Sequence, residues 1–189
     1  MTLEEIRVQI DAIDRQMKPL FLKRMECAGQ VAQVKAQTGG DVFVLERELA
    51  IIDKRAGDVQ DAHDEYVAFL RHLMSVSRRY QYGILTGMQD RVIAQALEKA
   101  GLDQAKEHDQ VKIAFSCKKE ASDLNLVLNM IKLNAVALDR MELVTEAGVQ
   151  RVTMVLDGSL KESPMRRLIC QIAKESEDFA ILELKNSRA

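Results

Sequence analysis

The first 35 residues carry apolar side chains at helical spacing. Ile6, Ile10, Ile13, Met17 and Leu20 recur every three or four positions, and after a gap Cys27, Val31 and Val34 continue the stripe in phase. The pattern predicts one helix from about Thr2 to Gln37. Pro19 lies inside it and costs about 3 kcal/mol unless a kink absorbs it, but the stripe is in phase on both sides. Thr38-Gly39-Gly40-Asp41 is a stop and turn. A second helix is expected from about Val44 to Ala56, with Leu45, Leu49 and Ile52 inward, ended by Gly57-Asp58. Asp61 is placed as the N-cap of a third helix reaching about Leu85, with Asp64 and Glu65 in its first turn. Its stripe is Tyr66, Leu70, Met74, Ser77, Gln81, Ile84 and Leu85. Thr86-Gly87 weakens the helix, and Gly101 ends the further helix that follows.

From about Gln110 the period falls to two. Val111, Ile113, Phe115 and Cys117 alternate with Lys112, Ala114, Ser116 and Lys118, as in a half-buried strand. Ser122 is placed as the cap of a helix with Leu124, Leu128 and Ile131 inward. Val136 to Val144 and Gln150 to Leu156 read as strands joined in a hairpin around Ala147-Gly148. Ser163-Pro164 reads as an N-cap followed by proline at the first helical position, opening a helix with Met165, Leu168, Ile169 and Ile172 inward. Phe179 to Leu184 is a last strand. The order βαββαβ is that of a ferredoxin-like sandwich. The chain is therefore expected to hold two domains, an all-α one over 1–87 and an α+β one over 109–189, joined by a helical linker over 88–108.

Polar residues that interrupt apolar stripes are the candidates for chemistry. Arg24 stands on the inner face of the first helix, and a buried guanidinium needs an anionic partner. Lys35 lies eleven residues on, roughly 16 Å along the axis and within about 20° of the same face. Two cations so placed suit a small anion carrying more than one charge. Ser77 and Gln81, one turn apart, fit either a polar patch at a helix crossing or the same ligand, and Arg24 and Lys35 tip the balance to the ligand. The first helix would span about 50 Å, more than the width of a ~90-residue globule. Its apolar overhang is expected to pack on a second copy, and Arg7, about 100° round from Arg24, points elsewhere, toward that partner.

Composition narrows the classes. A net charge of -2 gives no global basic field for nucleic acid, and with no Trp and 4% aromatic residues there is no stacking platform for single strands. The acidic start Met1-Thr2-Leu3-Glu4-Glu5 lacks a signal-peptide core, and no run approaches the ~20 apolar residues of a membrane span. Cys27, Cys117 and Cys170 form neither a metal pattern nor a disulfide framework, which suits a reducing cytoplasm. His63, His72 and His108 are isolated and are given surface or structural roles.

Ile6-Arg7 with Ile10, Ile13-Asp14, Lys23-Arg24-Met25-Glu26, Val31 to Lys35, Glu46-Arg47-Glu48, and Ser77 to Gln81 together resemble the all-helical chorismate mutases. The resemblance is to the mutase domain of bifunctional chorismate mutase–prephenate dehydratases and covers about Leu3 to Leu85. It implies a three-helix fold, an intertwined homodimer and two shared active sites that rearrange chorismate to prephenate without a cofactor or metal. Position by position, it implies that Arg24 binds one substrate carboxylate and that Arg7 reaches the other from the partner chain. Lys35 and Gln81 would hydrogen-bond the ether oxygen, Arg47 and Ser77 would support the carboxylates, and Glu48 would accept the ring hydroxyl. Val44 stands where the family often has an acid.

The second domain resembles an ACT domain over about Gln110 to Leu184, on its element order and on Leu124 to Arg140 with the strand pair after it. Ala121-Ser122-Asp123-Leu124 and Met141-Glu142-Leu143-Val144 occupy the places of the Gly-rich and Glu-Ser-Arg-Pro segments of amino-acid-sensing versions. Two roles stay open, binding of phenylalanine or tyrosine as effector and ligand-free dimerisation. Nothing resembling a prephenate dehydratase lies between the two parts, so prephenate is the expected product. The alternatives are an isochorismate-pyruvate lyase on the same scaffold and a non-catalytic, metabolite-sensing regulatory protein.

Overall fold

The computed structural model describes residues 1–118 and 123–187. The first helix, α1, runs Leu3–Thr38 without a break at Pro19. Thr2 closes a capping box at its start: the Thr2 hydroxyl accepts from the Glu5 amide at 3.3 Å and the Glu5 carboxylate accepts from the Thr2 amide at 2.7 Å. At its end Gly39 takes the left-handed conformation (φ 76°) and donates its amide to the Lys35 carbonyl. Helices α2 (Leu45–Ala56) and α3 (His63–Ile84) complete the first domain.

These helices differ from the sequence pattern at several positions, among them Ile84, which is 38% exposed. Every residue from 1 to 23 is exposed, and only Ala28, Gly29 and Ala32 of α1 are buried. The stripe from Ile6 to Val34 is therefore not core within one chain. Leu45 and Leu49 are 46% and 43% exposed, not inward; Ile52 and Ala56 bury α2 instead. Asp61 does not cap α3. Ala62 intervenes in a left-handed conformation (φ 57°) and the helix starts without a side-chain cap.

Helix α4 (Thr86–Ala100) follows α3 after the single residue Leu85. Residues 88–108, expected as a linker, place Ile93 and Leu97 in the core of the sheet domain. That domain consists of β1 (Gln110–Lys118), α5 (Asp123–Asn134), β2 (Ala137–Glu146), β3 (Val149–Asp157), α6 (Ser163–Glu175) and β4 (Glu177–Lys185). The sheet order is β2-β3-β1-β4, and every neighbouring pair is antiparallel. The β2–β3 turn is Ala147-Gly148, both with positive φ (47° and 81°), the combination a two-residue turn with mirror-image twist requires. Helix α6 opens at Ser163 with Pro164 in its first turn, but Glu162, not Ser163, is the N-cap residue. The Glu162 carboxylate turns back to accept from the Ser159 amide, closing the preceding turn. The expected cap Ser122 lies outside the described residues.

Alternation decides the second core. Val111, Ile113 and Phe115 of β1 and Val152, Met154 and Leu156 of β3 are buried against Leu168, Ile169 and Ile172 of α6. Replacing Ile113, which is wholly buried at the sheet centre, by alanine is expected to destabilise this domain by about 2–5 kcal/mol. Denaturant unfolding followed by far-ultraviolet circular dichroism reads the loss; a change below half that range would mean the site collapses around the cavity.

Candidate active site

Helices α1, α2 and α3 and the turn between α1 and α2 line an open cavity of about 310 Å³, at the lower end of the size of small-ligand pockets. Of the seven residues singled out in the sequence, Arg24, Lys35, Arg47, Glu48, Ser77 and Gln81 line it. Arg7 does not. It sits on the exposed part of α1 and pairs with Glu4 at 3.6 Å.

Each lining group is placed by its helix. Arg24 and Lys35 share one face of α1, flanking the buried turn at Ala28, Gly29 and Ala32. Lys35 Nζ donates to the Val42 carbonyl at 3.3 Å, which ties it to the turn that follows α1. Ser77 and Gln81 are buried one turn apart on α3. Arg24 Nη1 and Gln81 Oε1 are both buried and make no hydrogen bond, so polar capacity is left over inside the cavity.

The charge inside is unbalanced. Five cations, Arg24, Lys35, Arg47, Arg55 and Arg78, line the cavity against two anions, Asp41 and Glu48. Burial, then the neighbouring Arg55, holds the Arg24 guanidinium below its ordinary pKa, with Glu48 opposing. Burial, then Arg47, does the same to the Lys35 ammonium, against Asp41 and Glu48. A bound anion would relieve both repulsions, so the site is built for negative charge.

Arg78 was missed in the sequence. It is 2% exposed, and its guanidinium is shared between two carboxylates. Nη1 donates to both oxygens of Glu48 at 2.5 Å, and Nε donates to Glu175 Oε1 at 2.9 Å. Phe43 lies under it, 4.9 Å from ring centroid to guanidinium carbon. Burial would lower its pKa, but Glu175 and Glu48 together outweigh that and raise it. The available signal was its place on the inner stripe of α3, four residues from both Met74 and Tyr82.

Residues 6–82 match the family of chorismate mutase type II. The matched segment contains all seven residues singled out above. The chain is similar to a T-protein of Haemophilus influenzae, 35% identical over 89 residues, which is 44% of this chain and 24% of the relative. A T-protein of Enterobacter agglomerans is 33% identical over 58 residues, 31% of this chain and 16% of the relative. The matched segments thus span a quarter or less of the curated relatives. No solved structure matches. Among the described residues, no helix is long and apolar enough to cross a membrane.

Proposed function

We propose that the protein is a chorismate mutase that rearranges chorismate to prephenate as a homodimer. The observation that carries this reading is the cavity's charge: five cations face two anions around an apolar-walled space that fits one small molecule. Chorismate is a dianion, and its rearrangement is an intramolecular [3,3] shift that needs no nucleophile or acid–base pair. Arg24 would clamp one carboxylate and Arg7 of a second copy the other, with Arg47 and Ser77 in support. The clamp converts conformational freedom into a near-attack geometry. As the C–O bond breaks, negative charge grows on the ether oxygen. Lys35 and Gln81 donors aimed there would stabilise the transition state more than the ground state. Glu48 would accept the ring hydroxyl.

The exposed apolar arm of α1 supports pairing between copies. Ile10, Ile13, Met17 and Leu20 are 51%, 56%, 45% and 67% exposed along one face, far more apolar surface than an isolated helix keeps in water. Ile13→Glu is expected to abolish association in analytical ultracentrifugation and activity with it. A monomer that keeps full activity would refute the shared site.

The element order and antiparallel strand order of the second domain support a ferredoxin-like, ACT-like regulatory module. Its effector would be an aromatic amino acid or none. The direct test mixes full-length protein with chorismate, follows loss of its ultraviolet absorbance and identifies prephenate by mass and by acid conversion to phenylpyruvate. Repeating it with phenylalanine or tyrosine tests the second domain. Chorismate left untouched by a folded protein, with isochorismate cleaved instead, would overturn the mutase reading in favour of a lyase.

A further inference from the structure

The two carboxylates on Arg78 belong to different domains. Glu48 lies on α2 and lines the cavity; Glu175 lies in the last turn of α6, and its side chain is 2% exposed. Gln171, one turn back on α6, donates to the same Glu175 oxygen that accepts from Arg78, at 3.2 Å. The other oxygen, Oε2, is buried without a hydrogen bond. Burial pushes the Glu175 carboxyl up to about 7 even with Arg78 and Gln171 opposing.

Such a group is a poor device for holding two domains together. A buried pair usually contributes no more than apolar side chains of the same volume. Apolar packing is already present at this contact, where Tyr82 of α3 and Cys170 of α6 share a buried cluster. What an apolar residue at 175 would not do is orient Arg78. The Glu175 carboxylate fixes the Nε edge of the guanidinium, and that leaves Nη1 directed at Glu48. It also divides the charge of Arg78 between two anions, so Glu48 keeps hydrogen-bonding capacity toward the cavity.

We propose that Glu175 is a positioning residue for the cavity: acting through Arg78, it holds the Glu48 carboxylate in place, so that α6 of the second domain sets the competence of the site in the first. This rests on the reading of the cavity as a chorismate site. It gives the second domain a physical handle on the reaction, since any displacement of α6 changes the grip on Glu48.

The test uses the full chain. Glu175→Gln keeps the shape and one acceptor but removes the charge, and is expected to lower kcat/KM by about tenfold with the fold and dimer retained. Glu175→Asp, which restores the charge at a shorter reach, should recover part of that. Arg166→Ala breaks another ion pair of α6, to Asp90 on α4, away from the cavity, and should leave kcat/KM unchanged. The deciding measurement is the double-mutant cycle. If Glu175 works through Glu48, adding Glu175→Gln to Glu48→Gln has no further effect on kcat/KM. Unchanged kcat/KM in Glu175→Gln, or a loss that adds in full to that of Glu48→Gln, overturns the proposal and leaves Glu175 a domain contact. A wild-type chain that does not turn over chorismate overturns the reading of the cavity instead. The relay is then decided by the carboxyl-carbon resonance of Glu48: a shift on Glu175→Gln supports it, and an unmoved resonance overturns it.

Discussion

Lys35→Ala is expected to lower kcat by about 10²–10³-fold while the protein stays folded and dimeric. The side chain is half-buried, and its one hydrogen bond is to a neutral carbonyl, that of Val42. Among the described residues no carboxylate pairs with it at contact distance, so its charge is left for the ligand. Burial and Arg47 hold its pKa below the ordinary lysine value, and that destabilisation of the free cation is recovered when an oxyanion develops beside it. The interaction is therefore stronger in the transition state than with the neutral ether of the ground state, and its loss should fall on kcat more than on KM. Because the alanine variant relieves a repulsion with Arg47, stability should not fall. Steady-state kinetics with chorismate, alongside size-exclusion chromatography, checks both parts. Near-normal kcat would remove Lys35 from its assigned role.

Arg7→Ala and Arg24→Ala should each leave almost no activity, yet mixing the two variants should restore it. Arg24 faces the cavity of its own chain, and Arg7 is far out on the exposed arm of α1, paired with Glu4. If each site takes Arg24 from one copy and Arg7 from the other, a mixed dimer holds one intact site and one doubly deficient site. Random exchange makes about half the dimers mixed, so activity should return to about a quarter of wild type, given closed two-fold pairing. The mixture is unfolded and refolded together to exchange subunits, and heterodimers are confirmed by mass with one variant tagged. Confirmed heterodimers that remain inactive would mean that the sites are built within single chains.

Local rules made most of the architecture legible. Strict alternation in β1, with Val111, Ile113, Phe115 and Cys117 buried, reads directly as a strand with one covered face. The Ala147-Gly148 turn and the helix stop at Gly39 follow from backbone conformations that few residues tolerate. Prediction failed where the deciding partner is distant or absent from the pattern. Most of the α1 stripe, and Leu45 and Leu49, have helical periodicity but stay largely exposed within the single chain. Asp61 has cap chemistry, but the left-handed Ala62 shifts the helix start by one residue past its reach. Within the site, six candidates converge on one cavity because helical spacing carries over directly into space. Arg78 escaped because its meaning lies in Glu175, 97 residues away on another domain, and no local pattern encodes that pairing.

The junction at Leu85 gives the molecule a shaft. Leu85 interrupts the helix for one residue only; its amide still donates to Gln81, and its carbonyl accepts from Met88 and Gln89. The Gln89 side chain spans the break and donates to the Tyr82 carbonyl at 2.7 Å. The helix that carries Ser77, Arg78 and Gln81 is thus geared, with almost no slack, to the helix that carries Ile93 and Leu97 into the sheet core. One residue inserted beside Leu85 would turn α4 and everything packed on it by about 100° and advance it by about 1.5 Å. Glu175 would then face a different side of α3. The phase angle between the two domains, fixed by a single residue, is as much a part of the site as the side chains in it.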